Sequence, residues 1–564
     1  MFTNKRWIKT NDNRDNDFVE KSILTNFGVE KATDLNIWFE KSYSNKYFIK
    51  GLKEAVAFAR KFKDLKVTIV GDYDVDGTTA TAILYLGLKE YGFTNVHYRI
   101  PRRFSEGFGI NTNIIDEISD GLIITCDNGI AAIDAIKKAK DKGLAVIITD
   151  HHKPVVIDEQ EILPPADYII DPNAISDSAD FSGYCGAGIA YKFICELFGF
   201  DKKIRYKYLS LAAIGTVADV MDLREENYVF VRNALKIIDN PFYTSVGLQA
   251  LIKVLKLGGE NKIKASDISF GIGPTINSAS RLNDTGAESV VELLIFTGNM
   301  EKAIEMANVL LETNQCRKEQ EKEAMKTINE IIVEYHLENS CPITIFVPNI
   351  NEGIIGILAG NISEKFNVPT LIFTNAIKDG QEYFKGSARS PEGFDLKELF
   401  DRHSHLFLKY GGHASAAGMS INKDVFDKLV TELLTDDIVK VFYQNKENYT
   451  PVNYYYEISV EDISKIIHLL EKYAPFGKGN PEPMFSLKFE PTIKYGTYRK
   501  KLGKSNTTLK LYGKHIDAIT FSLAEQLNDI PEKTNLQIIG TLNSSCFRGT
   551  TQIQIEIKDC EEVV

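Results

Sequence analysis

The sequence predicts an α/β protein: a doubly wound parallel sheet, a long connecting helix, a second and smaller α/β unit, and a C-terminal β-barrel. Three observations lead there. From about residue 65, short β-branched runs alternate with longer amphipathic stretches; between Glu301 and Glu334 apolar residues recur at three- and four-residue spacing; and the last hundred residues change to short strands separated by turns.

The first unit carries the runs LKVTIV (65–70), NVHYRI (95–100), GLIIT (121–125), LAVIIT (144–149) and DYII (167–170). Each is followed by polar residues: Asp72, Arg102–Arg103, Asp127, Asp150 and Asp171. Open parallel sheets bind ligands beyond the carboxyl ends of their strands, so these residues are expected to converge on one crevice. Helical periodicity dominates from about 200 to 330. A second unit begins with a strand at ITIFVP (343–348), a glycine-rich turn into a helix at NEGIIGILAG (351–360), and a strand near PTLIFT (369–374). The tail reads as strands at YYYEISV, PMFSLKFE, TTLKLYG, HIDAITFSL, LQIIGTL and TQIQIEIKD. Five or six such strands suit a small barrel, either an OB-fold, whose face binds single strands, or a purely structural one.

A chain of 564 residues, 44% of them apolar, is too long for one core and is expected to form three or four domains. Its 66 Lys and Arg against 77 Asp and Glu, a formal charge of -11, exclude a uniformly basic coat but leave room for a positive strand channel. Seven widely spaced cysteines without a Cys-x-x-Cys pair indicate neither a zinc knuckle nor a disulfide framework. The stretch MFTNKRWIKTNDNRDND has no apolar core before a cleavage site, and no run approaches the roughly 18 apolar residues of a membrane helix. A cytoplasmic protein without membrane contact is expected.

Chemistry concentrates at the strand ends. GDYDVDG (71–77) sets Asp72, Asp74 and Asp76 on alternate residues, a crowding that is costly unless a cation neutralises it. ITCDNGI adds Asp127, and ITDHHKP adds Asp150, His151 and His152. Adjacent histidines cannot both face one ligand from a regular strand, so one is expected on metal and the other toward substrate. AAIGTVADVMDL (212–223) leaves Asp219 in an apolar setting that calls for a metal or histidine partner, unless it caps a helix. Carboxylates with imidazoles suit Mn²⁺ or Mg²⁺, and two ions roughly 3.5–4 Å apart would serve an in-line attack on phosphorus.

The Asp-His-His run at 150–152, preceded by GDYDVDG and CDNG and followed by GTVAD, resembles the DHH phosphoesterase superfamily. DYDVDGTTATAIL, GPTINSASRL (273–282), GSARSPEGFDL (386–396), GGHASAAG (411–418) and YAPFGKGNPEPMF (473–485) are similar to its RecJ branch in particular. The resemblance implies an N-terminal segment (1–50), a DHH phosphoesterase domain (51–260), a helical connector (261–335), a DHHA1-like substrate-binding domain (336–445) and an OB-fold-like domain (446–564). It also implies an exonuclease that degrades single-stranded DNA 5′ to 3′ to 5′-mononucleotides in recombination and repair, with a single-strand-binding protein and a helicase as partners.

By the same resemblance Asp74, Asp76, Asp127, His151 and Asp219 are metal ligands and Asp72 a ligand or close partner. His152 contacts the scissile phosphate, and Asp150 orients the histidines. Arg103, Arg281, Ser387 and Arg389 correspond to contacts with the 5′-end phosphate, and Gly411, Gly412 and His413 to further substrate contacts. Ordinary surface charge is the alternative for the arginines. Phe108, Tyr410, Tyr473 and Phe476 are candidates to stack on bases or to fill cores. Two positions depart from the pattern: Phe108 stands where the family generally has Tyr, and Asn351 near a common His. A DHH phosphodiesterase for short oligonucleotides or cyclic dinucleotides, an inorganic pyrophosphatase, and a catalytically inactive nucleic-acid-binding scaffold are the competing functions.

Overall fold

Five parallel strands, β1 (Lys66–Val70), β2 (Asn95–Arg99), β3 (Leu122–Cys126), β4 (Ala145–Thr149) and β5 (Tyr168–Ile170), pair in the order β2-β1-β3-β4-β5. They correspond to the five β-branched runs. The computed structural model describes residues 6–10, 16–174, 179–378, 380–449, 451–502, 508–547 and 550–563. Parts of the N-terminal stretch and Thr507 of the TTLKLYG run lie outside the described residues. Chain direction across the sheet reverses between β1 and β3, and that switch point is where ligands of such sheets bind.

Helix α1 (Val75–Tyr91) follows β1 and is packed by α2 (Gly186–Leu197) and α3 (Lys202–Ala218). Its first turns are buried all round, so Thr78, Thr79 and Thr81 each donate a hydroxyl to the carbonyl four residues back. Gly87 lets Ile194 of α2 approach to where a Cβ would stand. After α4 (Gly273–Leu282), helix α5 (Met300–Glu334) runs 35 residues, about 52 Å at 1.5 Å per residue. Its first half gives Ala303, Ala307 and Leu310 to the core of the first unit, and its second half gives Ala324, Ile328 and Ile332 to the core of the next.

That next unit is a five-stranded sheet of β6 (Ile343–Phe346), β7 (Thr370–Lys378), β8 (Gln381–Arg389), β9 (Lys409–Gly412) and β10 (Ala416–Ile421), ordered β9-β10-β8-β7-β6. Helix α6 (Ile355–Phe366) makes the crossover between the parallel pair β6 and β7. The last unit is a six-stranded sheet of β11 (Phe485–Phe489), β12 (Arg499–Leu502), β13 (Thr508–Leu511), β14 (Asp517–Thr520), β15 (Leu536–Phe547) and β16 (Thr550–Glu562), ordered β11-β15-β16-β14-β13-β12.

Two details differ from the sequence reading. YYYEISV is not one of the six strands: it runs beside β11 through an isolated bridge from Glu457 to Ser486 and buries Tyr456 and Ile458. Strand β12 is the basic segment RKKL, whose lack of apolar alternation hides it. The helices Asn16–Phe27 and Leu35–Tyr43 share the core of this last unit through Val19, Ile23, Phe27 and Trp38. Tyr228 of the first unit joins them, with ring centroids 4.9 Å from Phe27 and 5.9 Å from Trp38. The N-terminal segment therefore ties the first and last units together.

A buried ion pair reinforces that tie. Lys192 of α2 lies 3.1 Å from Glu226, which also accepts hydrogen bonds from Ser42 at 2.9 Å and from the Tyr184 hydroxyl. Both charges are almost wholly enclosed, and removing one strands the other. Lys192→Met is expected to cost about 3–5 kcal/mol. A fall in the thermal midpoint checks this, with partial recovery in Lys192→Met/Glu226→Leu.

Candidate metal centre

The switch point holds the carboxylates. Asp74 is the N-cap of α1 and accepts the Gly77 N–H at 2.9 Å; Asp76 follows in the first turn. Asp76 is anchored by the N-terminus of α2, where Gly186 N–H donates to one oxygen at 2.6 Å and Ala187 N–H to the other at 2.9 Å. Asp72 is buried and accepts the Gly109 N–H at 3.2 Å. Asp127 follows β3 in a left-handed conformation (φ 63°), which turns its carboxylate toward these three. Its neighbour Asn128 pins the turn, donating to the carbonyls of Val70, Gly71 and Cys126 and accepting the Ile110 N–H.

The histidines lie beyond the end of β4 rather than on it, so strand alternation does not separate them. Their rings are 4.4 Å apart. His151 Nε2 stands 3.0 Å from Asp127 Oδ1 and 3.7 Å from both Asp76 and Asp219. Asp150 directs one of its oxygens to His152, accepting both its backbone N–H and ring Nδ1–H, the latter at 2.8 Å; the other takes the Ile130 N–H. It also accepts the backbone N–H of His151 but not the ring. Asp219 is the C-cap of α3, at the helix end where a negative charge is least favoured.

Electrostatics fit a cation. Burial, and behind it the neighbouring carboxylates, push Asp72, Asp74 and Asp127 above the ordinary range and Asp219 up to about 8. Burial lowers His151, favouring the neutral imidazole a metal needs. Burial also works to lower His152, but Asp150, Asp219 and Asp76 raise it to about 9. Asp127 Oδ1 is buried without a hydrogen bond, although His151 Nε2 is near. Two donors on one octahedral ion with bonds of about 2.1 Å sit about 3 Å apart, so this separation suits shared coordination. Ligand atoms fall into the overlapping groups Asp72–Asp74–Asp127, Asp76–His151–Asp219 and Asp127–His151–His152, each within 4.8 Å.

An arginine group adjoins the carboxylates. Arg103 stacks on Tyr73 at 4.8 Å, and its charge is felt by Asp72 on one side and by Arg281 and Arg389 on the other. Burial, then the repulsion of Arg103, Arg317 and Arg389, lowers Arg281 to about 10. Arg281 donates to the Gly353 carbonyl at 2.8 Å, and Arg389 to Ser387 Oγ at 3.2 Å. Among the described residues none of Arg103, Arg281 and Arg389 has a carboxylate at ion-pair distance. Gly356, in the first turn of α6, gives Arg389 and Ser387 their space. Across the sheet, Ser387 pairs with Gly418 and Gly418 with Gly411, two glycines with open space where a side chain would be.

Other residues named from the sequence fall outside these groups. Arg102 is exposed, and Asp171 lies behind Asp150, whose charge, after burial, helps to raise it to about 8. Gly412 (φ 146°) and His413 close the β9–β10 hairpin, His413 N–H donating to the Ala416 carbonyl at 2.8 Å. His413 is exposed, and among the described residues no hydrogen bond joins it to the carboxylates or arginines. Phe108 is half-exposed with its ring 5.3 Å from His152. Tyr473 is core, Phe476 packs beside it, and Tyr410 packs on the second unit, so of the four stacking candidates Phe108 alone flanks the ligands. Asn351 caps its turn by accepting the Gly353 N–H at 2.8 Å.

The sequence reading missed Gly186 and Ala187, whose contribution is backbone N–H, and Tyr73, which carries Arg103. The small-residue run CGAG opening α2 was the available signal. Gly186 and Gly215 are also spacers: a methyl at the first would overlap Asp127, and at the second Asp76.

Three family models match the chain. Residues 66–216 match the N-terminal domain of the DHH family, 340–440 the DHHA1 domain, and 456–559 the RecJ OB domain. The single-stranded-DNA-specific exonuclease RecJ of Haemophilus influenzae is 30% identical over 88% of this chain and 88% of its own. That of Escherichia coli is 30% identical over 87% and 86%. The crystal structure of RecJ from Thermus thermophilus in complex with Mn²⁺ is similar with a TM-score of 0.71 at 25% identity, over 92% of this chain and 72% of that one. A second RecJ structure bound to manganese gives 0.57 at 29% identity, over 70% and 97%.

Because a Cβ at position 186 would displace Asp127, Gly186→Ala is expected to weaken Mn²⁺ binding by about 10–100-fold, the usual effect of disturbing groups that orient ligands, with the fold retained. Calorimetric Mn²⁺ titration beside circular dichroism measures both.

Proposed function

This chain belongs to the RecJ family of single-stranded-DNA-specific exonucleases, and on that premise we propose how its residues divide the work. It is a metal-dependent phosphodiester hydrolase that acts on single-stranded DNA. Asp72, Asp74, Asp76, Asp127, His151 and Asp219 would hold Mn²⁺ or Mg²⁺, two ions in all. When bound, the ions supply an activated water and neutralise the leaving oxygen of an in-line attack on phosphorus.

The chain's own groups do the rest. His152, oriented by its hydrogen bond to Asp150, donates to the scissile phosphate. Arg103, Arg281, Arg389 and Ser387, with the first turn of α6, take the terminal 5′-phosphate. Gly411 and Gly412 leave room for backbone along the sheet, and His413 contacts the strand. The observation that carries this reading is the junction at Tyr73: the arginine group, short of acid partners, begins where the ligand group ends. A phosphate held there measures one nucleotide from the 5′ end, sets a 5′-to-3′ direction and yields 5′-mononucleotides. The same reading places the protein in the cytoplasm, in recombination and repair, with a single-strand-binding protein and a helicase as partners. Among the described residues no helix is long and apolar enough to cross a membrane.

Strands labelled at the 5′ or 3′ end, incubated with Mn²⁺ beside duplex DNA, RNA, dinucleotides and pyrophosphate, test this. Early mononucleotide release from the 5′ label alone is expected; digestion from the 3′ end, or activity confined to dinucleotides or pyrophosphate, overturns it. Asp127→Asn is expected to lower turnover by about 10²–10³-fold or more while strands still bind. Arg389→Ala should slow 5′-phosphorylated strands roughly 10–100-fold, as for a lost charged hydrogen bond, and 5′-hydroxyl strands much less.

A further inference from the structure

The motif YAPFGKGNPEPMF has no part in the two groups above, yet its centre lies against a metal-ligand loop. Gly477 and Asn480 exchange backbone hydrogen bonds at 2.9 and 3.1 Å, closing a tight loop with Lys478 at its tip. Buried Asn480 plugs it by donating to the Pro475 carbonyl. The loop docks on the turn that follows Asp219: Leu223 N–H donates to the Lys478 carbonyl at 2.7 Å, and Arg224 Nε to the Gly479 carbonyl at 3.0 Å. Gly477 and Gly479 (φ 75°) permit the approach, since a Cβ at either would meet Leu223 or Asp222.

The backbone of the loop thus makes the structural contacts, leaving the Lys478 side chain 60% exposed and 3.6 Å from Asp222. An exposed pair at that distance is weak and exchangeable. The amine is also close enough for its charge to act on Asp219, as that of His152 does.

The contacts connect neighbour to neighbour. Arg103 adjoins Asp72; Asp72 groups with Asp127; Asp127 meets His151; His151 meets Asp219; Asp219 feels Lys478. Arg103 thus acts on Asp72 and Lys478 on Asp219, with Asp127 and His151 linking those two ligands. Resting on the reading that the arginines take the terminal 5′-phosphate, we propose that Lys478 binds the backbone phosphate on the 3′ side of the scissile one, so that the last domain contributes a substrate contact at the metal centre itself. A strand entering between the units exchanges the Lys478–Asp222 pair for a Lys478–phosphate pair.

Lys478→Ala in the full chain tests the contact. With 5′-phosphorylated single strands, KM should rise about fivefold at 0.1 M salt with kcat nearly unchanged, and the salt slope of strand binding should fall by about 0.7, the share of one neutralised phosphate. A 5′-phosphorylated dinucleotide, which ends before this phosphate, should be cut as by the wild type. Asp222→Asn, which frees the amine, should not weaken binding. The inference is overturned if Lys478→Ala leaves strand KM and salt slope unchanged, if the dinucleotide suffers equally, or if Mn²⁺ affinity falls in parallel, which would make Lys478 a prop for Asp219. Failure of the wild type to release nucleotides from the 5′ end would overturn the underlying reading and this contact together; normal wild-type digestion with an indifferent Lys478→Ala overturns the contact alone.

Discussion

Several carboxylates buried within a few ångströms of one another are the constraint on which this structure turns. Left alone, Asp72, Asp74, Asp127 and Asp219 resist carrying their charge, because enclosure and mutual repulsion act in the same direction. What keeps the group assembled is a surround of backbone donors and small residues. The N-terminus of α2 faces Asp76, Gly109 faces Asp72, the α1 N-terminus faces Asp74, and glycines at 186 and 215 clear the space. A divalent ion completes an arrangement the chain has already organised.

The second half of the site answers the first with the opposite sign. Arg281 and Arg389 are partly buried and, among the described residues, bonded to carbonyl or hydroxyl oxygens instead of carboxylates. They repel one another and Arg103. A centre that concentrates anionic ligands beside a cluster that concentrates guanidinium groups is electrostatically incomplete on both sides.

Much of this was legible in the sequence because sheet geometry writes itself into residue order. β-Branched runs of four to six residues mark the strands, and an Asp just past a run marks the crevice. The two histidines were harder: alternation along a strand would have separated them, but the chain leaves the sheet at Asp150 and sets both rings beside Asp127. Gly186 and Ala187 carry no side-chain signature because they act through N–H groups. Tyr473 looked like a platform for bases, yet it is enclosed by the N-terminal helices, whose packing against the last unit is a long-range fact. Strand β12 was hidden because at a sheet edge, where the Lys500 and Lys501 side chains are exposed, a strand needs no apolar rhythm.

The long helix α5 has a consequence for how the molecule comes apart. One continuous rod supplies wall residues to two cores, Ala303, Ala307 and Leu310 to one and Ala324, Ile328 and Ile332 to the other. Melting either core strips the support from half the rod, and a helix that has lost half its packing frays toward the other half. The two units therefore share a fate: heat or denaturant that opens the first reaches the second, with its Ser387 and Arg389, through a common spine, which couples their unfolding despite the separation of their cores.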